Sequence, residues 1–241
     1  MSQPCPVYES QGFCPICQNP VTFVAYNSWF RDFFICSVCK SVPRERALIA
    51  ALDIYAPNWR DLIIHECSPS EKGASKMLSQ QCHQYIPSQY FPGQPGGSFY
   101  EGDRCENLES LTFADESIDI HISQDVLEHV LRPTMAFREI ARTLKPGGMH
   151  IFTVPLVKKN QPSSPRVKVN GDSFECIETP EYHSNPVGNG KSLVTYDWGF
   201  DICKHIHESC GLFTHILRSD DISRGIRADL IEVLVTVKSL A

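Results

Sequence analysis

The chain has 241 residues, 42% of them hydrophobic, which is enough apolar material for one globular core domain with a small appendage. Its formal net charge of −6 disfavours a nucleic-acid partner, because neutralising phosphates requires a surplus of lysine and arginine. No apolar stretch is long enough for a membrane-spanning helix, and 11 cysteines without a recognisable secretory signal favour the reducing cytoplasm over a disulfide scaffold.

The first predicted element contains two Cys-x-x-Cys pairs, separated by an alternating, aromatic-rich segment that is typical of a β-hairpin. Four thiolates at this spacing can close a tetrahedral zinc site, and they leave no coordination position open for catalysis. Unbound thiols or a redox pair are the alternatives, but the duplicated pair favours the metal. We predict a zinc ribbon over residues 1–41, with structural Zn²⁺ bound by Cys14, Cys17, Cys36 and Cys39.

Helices and strands are predicted to alternate after the ribbon. Residues 43–55 form an apolar-rich segment with proline at its start, which indicates a helix, and residues 61–66 indicate a buried strand. A loop, a helix over residues 74–82 and a strand over residues 84–87 follow.

Two arginines, Arg44 and Arg46, lie where the ribbon joins the rest of the chain. One of them could pair with the carboxylate of a cofactor or with an anionic substrate, since guanidinium groups bind carboxylates well. A solvated or domain-bridging arginine is the alternative interpretation for either residue.

The most informative segment runs over residues 113–155. Residues 117–123 predict a buried strand, and Pro133 opens a helix with apolar residues at helical spacing. Residues 145–148, Lys-Pro-Gly-Gly, end that helix, and residues 149–154 form a second strand. Strand, helix, turn and strand in this order are the unit of a parallel α/β sheet.

Three motifs in this segment resemble those of the class I S-adenosylmethionine (SAM) methyltransferases. The family has F-x-D-x-S-h-D before its fourth strand, L-E-H after it, and L-K-P-G-G before its fifth. The matching residues here are Phe113, Asp115, Ser117 and Asp119, then Leu127, Glu128 and His129, then residues 144–148.

This resemblance implies an α/β fold, with a Rossmann-like sheet of seven strands whose last strand is antiparallel. Residues 42–241 would form the methyltransferase core, with an insertion at about residues 155–197. Residues 200–210 predict the last core helix, with Gly211 at its C-terminal cap, and two strands follow it.

The cofactor loop is where this chain departs from the family pattern. The family has an acidic residue at the end of its first strand and then a glycine-rich turn that lets the backbone approach SAM. Glu66 occupies the acidic position, whereas Ser68 and Ser70 stand where glycines are usual and only Gly73 remains.

Four further residues are implied as cofactor contacts. Gln89 occupies the place of the family's ribose-binding acid, although it could instead be an exposed loop residue. Asn107 and Leu108 would contact the adenine, the first through its side-chain carbonyl oxygen. Gln124, at the end of the fourth strand, would lie beside the methionine moiety.

The methyl acceptor would be recognised by the insertion, whose mixed aromatic, histidine and aspartate content suits a lid over a pocket. A general base is required only where the acceptor must lose a proton. The predicted catalytic residues are His129, His183 and Asp197, and Asp125 and Glu128 are further candidates, with a core or helix-capping role as the alternative for His129.

These observations predict a SAM-dependent methyltransferase acting on a small-molecule or sugar-containing acceptor. Related architectures place a zinc ribbon before this core in deoxysugar and in ribosomal RNA methyltransferases, and the acidic net charge favours the first. A non-catalytic binding module with this fold is a different class of hypothesis, favoured by the altered glycine turn and opposed by Glu66. The acceptor atom and the oligomeric state stay open.

Overall fold

The computed structural model describes residues 5–171, 173–185 and 190–240. Small parts of the predicted ribbon and insertion lie outside the described residues, namely residues 1–4, 172 and 186–189, as does residue 241. None of the helices in the described ranges has the length and apolar character needed to cross a bilayer.

The N-terminal part forms the small antiparallel sheet that the cysteine spacing predicts. Its elements are β1 (Tyr8–Cys14), β2 (Asn19–Ala25), α1 (Phe30–Phe33) and β3 (Phe34–Cys36). The strand order is β1-β2-β3, and the pairing of Cys14 with Asn19 puts the first Cys-x-x-Cys pair at the β1–β2 turn.

From Pro43 onwards the chain forms the predicted helices and strands, with an additional short hairpin in the middle. The elements are α2 (Pro43–Tyr55), β4 (Ile63–Cys67), α3 (Gly73–Gln81), β5 (Gln84–Ser88), β6 (Phe99–Tyr100), β7 (Asp103–Arg104), β8 (Ile118–Gln124), α4 (Pro133–Thr143) and β9 (Leu144–Thr153). Proline at the first turn of α4 has the fixed φ that a helix start requires, and Ala136, Phe137 and Ile140 form its buried face.

The predicted insertion folds into short two-stranded ladders. Its strands are β10 (Ser164–Pro165), β11 (Val167–Asn170), β12 (Ser173–Cys176), β13 (Tyr182–Ser184), β14 (Lys191–Leu193) and β15 (Tyr196–Asp197). They pair as β10 with β15, β11 with β12, and β13 with β14.

The chain ends with α5 (Ile202–Cys210), β16 (Phe213–Leu217) and β17 (Val233–Val237). Gly211 caps α5 in the left-handed conformation, with φ +77, which confirms the predicted helix end.

The central sheet of the described residues has six strands in the order β16-β17-β9-β8-β4-β5. Neighbours among β9, β8, β4 and β5 are parallel, and β17 is antiparallel to β9, as predicted for the last strand. The prediction of a seventh strand is not confirmed. At the outer edge of β5, Cys105 forms only one parallel bridge with Gln89, because the preceding residues turn back as the β6–β7 hairpin.

The ribbon and the central sheet share one hydrophobic core. Phe23 and Phe34 of the ribbon are fully buried in the same cluster as Leu48 of α2 and Ile120 of β8. Arg46 is also fully buried, and it donates hydrogen bonds to the carbonyl oxygens of Phe34 at 2.7 Å and of Gly225 at 3.0 Å. Arg46 therefore bridges the two parts of the chain, as in the alternative interpretation above.

Candidate active site at the carboxyl ends of the central strands

Glu66 lies at the carboxyl end of β4 and is completely buried. Its Oε1 accepts hydrogen bonds from Ser75 Oγ at 2.7 Å and Gln124 Nε2 at 2.9 Å, and its Oε2 accepts one from the Tyr85 hydroxyl at 2.7 Å. Burial raises the pKa of Glu66, and the three donors oppose this by stabilising the carboxylate. The carboxylate thus joins α3, β5 and β8 to β4.

The segment after β4 has two residues in the left-handed conformation, and one of them is not glycine. Ser68 has φ +54, in the left-handed region that glycine adopts more readily. Gly73 has φ +58 at the start of α3, and a Cβ there would lie 2.1 Å from the carboxylate of Glu45. Ser70 is exposed on the same loop. Glycine is favoured at position 73 by its positive φ, and a larger residue would also have to displace the Glu45 carboxylate.

Gln89 follows β5 and is buried, with its Nε2 3.4 Å from the Pro69 carbonyl oxygen. This contact brings the end of β5 against the loop after β4. Asn107 accepts a hydrogen bond from the Glu109 N–H at 2.9 Å through Oδ1, which leaves one acceptor position on that oxygen. Leu108 is buried beside it. The residues predicted to contact the cofactor therefore lie on consecutive loops at one edge of the sheet.

Asp125 directly follows β8, in a left-handed conformation with φ +54. Its Oδ2 accepts a hydrogen bond from Arg31 Nη2 at 2.7 Å and forms an ion pair with Arg44, whose Nε lies 2.9 Å away. Its Oδ1 accepts a hydrogen bond from Thr153 Oγ1 at 3.0 Å. Burial raises the pKa of Asp125, but the two guanidinium groups outweigh burial and hold the pKa below its ordinary value. An arginine of the ribbon is thus part of this site.

Glu128, His129 and His183 form a second cluster beyond the end of β8. The Oε1 of Glu128 lies 3.8 Å from His129 Nε2 and 3.7 Å from His183 Nδ1. His129 Nδ1 lies 2.8 Å from the Leu193 carbonyl oxygen, which can only accept, so Nδ1 carries the proton and Nε2 faces the carboxylate. The Glu128 carboxylate raises the pKa of His183, against the opposing effect of burial. The structure thus brings together two of the three predicted catalytic residues.

The third predicted catalytic residue, Asp197, is engaged in an ion pair of the insertion. Its Oδ2 lies 3.1 Å from Arg166 Nη1 and 3.9 Å from Lys158 Nζ. The neighbouring Thr195 donates hydrogen bonds from its backbone nitrogen to the Glu128 carbonyl oxygen at 2.7 Å and from its hydroxyl to the Val130 carbonyl oxygen at 2.7 Å. The insertion is therefore attached to the turn that carries Glu128 and His129.

The four cysteine sulfurs of the ribbon converge on one point. Sγ atoms of Cys14 and Cys39 are 3.7 Å apart, those of Cys17 and Cys36 are 3.8 Å apart, and all four lie within 4.8 Å of one another. A tetrahedral zinc ion with Zn–S bonds of about 2.3 Å requires sulfurs about 3.8 Å apart. The donor set and its spacing therefore fit zinc.

Sequence reasoning misses two residues of the site, Arg31 and Tyr85. Arg31 contacts Asp125, 94 positions further along the chain, and nothing in its local sequence distinguishes it from a solvated arginine. Tyr85 has the pattern of a strand aromatic, and its hydroxyl contact with Glu66 depends on the pairing of β4 with β5.

A family model described as a methyltransferase domain matches residues 75–152, from α3 to the end of β9. An uncharacterized methyltransferase of Mycobacterium tuberculosis is 46% identical over 63 residues, which cover 26% of this chain and 23% of the relative. One of Mycobacterium avium is 43% identical over 44 residues, covering 18% and 17% respectively. The matched part thus spans less than a quarter of the length of either curated relative.

Solved structures of SAM-dependent methyltransferases share the fold. One from Mesorhizobium loti superposes with a TM-score of 0.51 at 15% identity, covering 80% of this chain and 98% of its own. A SAM-bound amino pentose methyltransferase from Micromonospora echinaspora also has a TM-score of 0.51, at 8% identity, covering 81% and 90%. At these identities the likeness establishes the fold alone. The methyltransferase-domain model thus matches one segment of the chain, and the solved methyltransferase structures share its overall fold.

Proposed function

We propose that this chain binds SAM at the carboxyl ends of β4, β5 and β8 and transfers its methyl group to a small-molecule or sugar-containing acceptor. The observation that carries the proposal is the convergence of three segments distant in sequence. Gln124 lies 2.9 Å from Glu66, and Gln89 lies 3.4 Å from Pro69. Ligands of parallel α/β sheets bind at this edge.

SAM, when bound, supplies an activated methyl group on a sulfonium, so the protein chiefly positions the two reactants. The left-handed Ser68, the exposed Ser70 and the side-chain-free Gly73 let the loop backbone approach the cofactor. Glu66 and Gln124 fix this loop relative to β8. Gln89 would bind the ribose, and Asn107 and Leu108 would bind the adenine.

A small-molecule acceptor is supported by the packing of the insertion against the turn after β8. Glu128 is only 2% exposed, and the hairpin that carries His183 contacts it. A large acceptor would have to displace this hairpin. We propose His129 and His183 as the residues nearest to the reacting acceptor. A catalytic role for Asp197 stays a prediction. Unchanged turnover by the Asp197→Ala variant would contradict that role.

Zinc is proposed as a structural ion bound by Cys14, Cys17, Cys36 and Cys39. The sulfur spacing supports it, and the four ligands leave no position for a substrate. Because the ribbon shares its core with the sheet, the ion would stabilise the part of the chain that supplies Arg31 to Asp125.

Isothermal titration of the full chain with SAM tests the proposal. We expect measurable binding that Gln124→Ala weakens and Gln84→Ala leaves unchanged, since Gln84 lies at the opposite end of β5 and bonds the Asp61 carbonyl oxygen. If SAM does not bind, the enzyme proposal is wrong.

The second candidate, a non-catalytic binding module, is favoured by the altered glycine turn, where a serine, Ser68, has a left-handed φ of +54. Absence of SAM binding would support it. A ribosomal RNA acceptor is tested by filter binding of RNA, where a steep loss of affinity with salt would contradict the small-molecule assignment.

A further inference from the structure

The cluster of Glu128, His129 and His183 has a property that a methyl-transfer pocket does not by itself require. Glu128 is 2% exposed, and neither of its carboxylate oxygens has a hydrogen-bond partner among the described residues. The two imidazoles lie near it, with His183 Nδ1 at 3.7 Å and His129 Nε2 at 3.8 Å from Oε1, which is beyond hydrogen-bond distance. A buried carboxylate without a donor is strongly destabilising, so a binding partner for it is expected.

We propose that Glu128, His129 and His183 bind a divalent first-row transition metal ion. Their ligand atoms all lie within 4.8 Å of one another. An ion about 2.1 Å from each ligand atom requires separations of about 3.0–3.4 Å, so small side-chain rotations are sufficient. Two imidazoles and one carboxylate are a ligand set that such ions favour, and it leaves coordination positions open.

The orientation of His129 supports this assignment independently. Its Nδ1–H donates to the Leu193 carbonyl oxygen, so the Nε2 lone pair points into the cluster. Histidine ligands of metals commonly donate their second ring nitrogen in this way, which fixes the ring and the tautomer. Thr195 in turn fixes the Glu128 backbone through a 2.7 Å hydrogen bond. The cluster is therefore held by contacts between the turn after β8 and the insertion.

The metal site also indicates the class of methyl acceptor, an inference that rests on the proposed methyl transfer. An acceptor hydroxyl bound at an open position would have its pKa lowered by the ion and would lose its proton to water. The acceptor oxygen then bonds to the methyl carbon while the carbon–sulfur bond breaks, and that electron pair stays on sulfur. The acceptor would thus be a hydroxyl compound.

The site is tested by titrating the full chain with Mn²⁺. The paramagnetic resonance signal of the free ion measures how much Mn²⁺ stays unbound. Mn²⁺ prefers oxygen and nitrogen to thiolate ligands, so it reports this cluster rather than the four cysteines. We expect one bound ion per chain and at least tenfold weaker binding by Glu128→Gln and His183→Ala. His83→Ala is the matched control, because the His83 side chain is exposed and, among the described residues, it pairs with the exposed Asp61. Circular dichroism verifies the fold of each variant.

Equal Mn²⁺ binding by wild type and His183→Ala, or no binding by a folded wild type, would overturn the proposal. The same samples are titrated with SAM, which tests the proposed methyltransferase function separately from the proposed metal site. SAM binding without Mn²⁺ binding refutes the metal site and retains the methyltransferase. Mn²⁺ binding that depends on Glu128, without SAM binding, supports the metal site and refutes the enzyme.

Discussion

Replacing Arg31 with alanine tests whether the ribbon stabilises the candidate active site. Arg31 Nη2 donates to Asp125 at 2.7 Å and Arg31 Nε donates to the Leu230 carbonyl oxygen at 2.9 Å, with 9% of the arginine side chain and 17% of the Asp125 side chain exposed. A hydrogen bond to a charged group contributes about 1.5–3 kcal/mol, and a neutral one about 1 kcal/mol.

Leaving a buried charge without any partner costs about 3–5 kcal/mol, but Arg31→Ala does not leave the Asp125 carboxylate in that state. Asp125 retains Arg44 at 2.9 Å and Thr153 at 3.0 Å. We therefore expect Arg31→Ala to lower the free energy of unfolding by about 2–4 kcal/mol.

Urea unfolding of the full chain measures this change. Arg227→Ala is the matched control, because the Arg227–Asp220 pair is exposed and its removal should leave stability unchanged. A double-mutant cycle of Arg31→Ala with Asp125→Asn should give a coupling energy of about 1–3 kcal/mol. If Arg31→Ala behaves like Arg227→Ala, or if the coupling is near zero, the ribbon does not hold Asp125.

The same pair predicts a pH dependence. The pKa of Asp125 is lower in the folded protein than its ordinary value of about 3.9, so its ion pairs contribute their full stability above that pH. The contribution is lost as pH falls through the folded pKa. The difference between wild type and Arg31→Ala should therefore be constant near neutrality and shrink below about pH 4, as measured by unfolding at each pH.

Four further variants test other parts of the structure. Cys17→Ser should reduce the zinc content from one ion per chain to none, measured by mass spectrometry of the metal, and lower the melting temperature. Gly73→Ala should destabilise the protein more than Gly93→Ala. Both glycines have a positive φ, but only a Cβ at position 73 would meet a neighbouring atom, at 2.1 Å. Equal losses of stability in urea unfolding would exclude the clash. Ser68→Gly should stabilise by about 1 kcal/mol by relieving a left-handed φ, and no gain would show that serine is unstrained there. Glu66→Gln should weaken SAM binding about tenfold or more in calorimetry, since an amide cannot accept all three donors; unchanged affinity would contradict its role.

Much of the fold was predictable because its signals are local. The helix starting at Pro133, the cap at Gly211 and the buried strand before Gln124 each depend on a few neighbouring residues, and the structure confirms them. The predicted seventh strand is not confirmed. The residues before Cys105 pair locally as a hairpin instead of extending along β5.

The predicted cofactor loop after β4 could be located from the sequence, but its contacts could not. Family resemblance located Glu66 and the serines after it, and the structure shows the left-handed Ser68 that a glycine turn needs. The saturation of the Glu66 carboxylate by three donors follows from the packing of separate elements, which no local pattern records.

The sequence by itself determined the main helices and strands of the core, the four-cysteine cluster and the methyltransferase-like segment, because spacing and periodicity act over a few residues. Only the tertiary structure decided that Arg31 of the ribbon contacts Asp125, that Asp197 is held by Arg166, and that His183 lies against Glu128. Those contacts join residues far apart in the chain, and their existence depends on how the sheet edge, the ribbon and the insertion pack together.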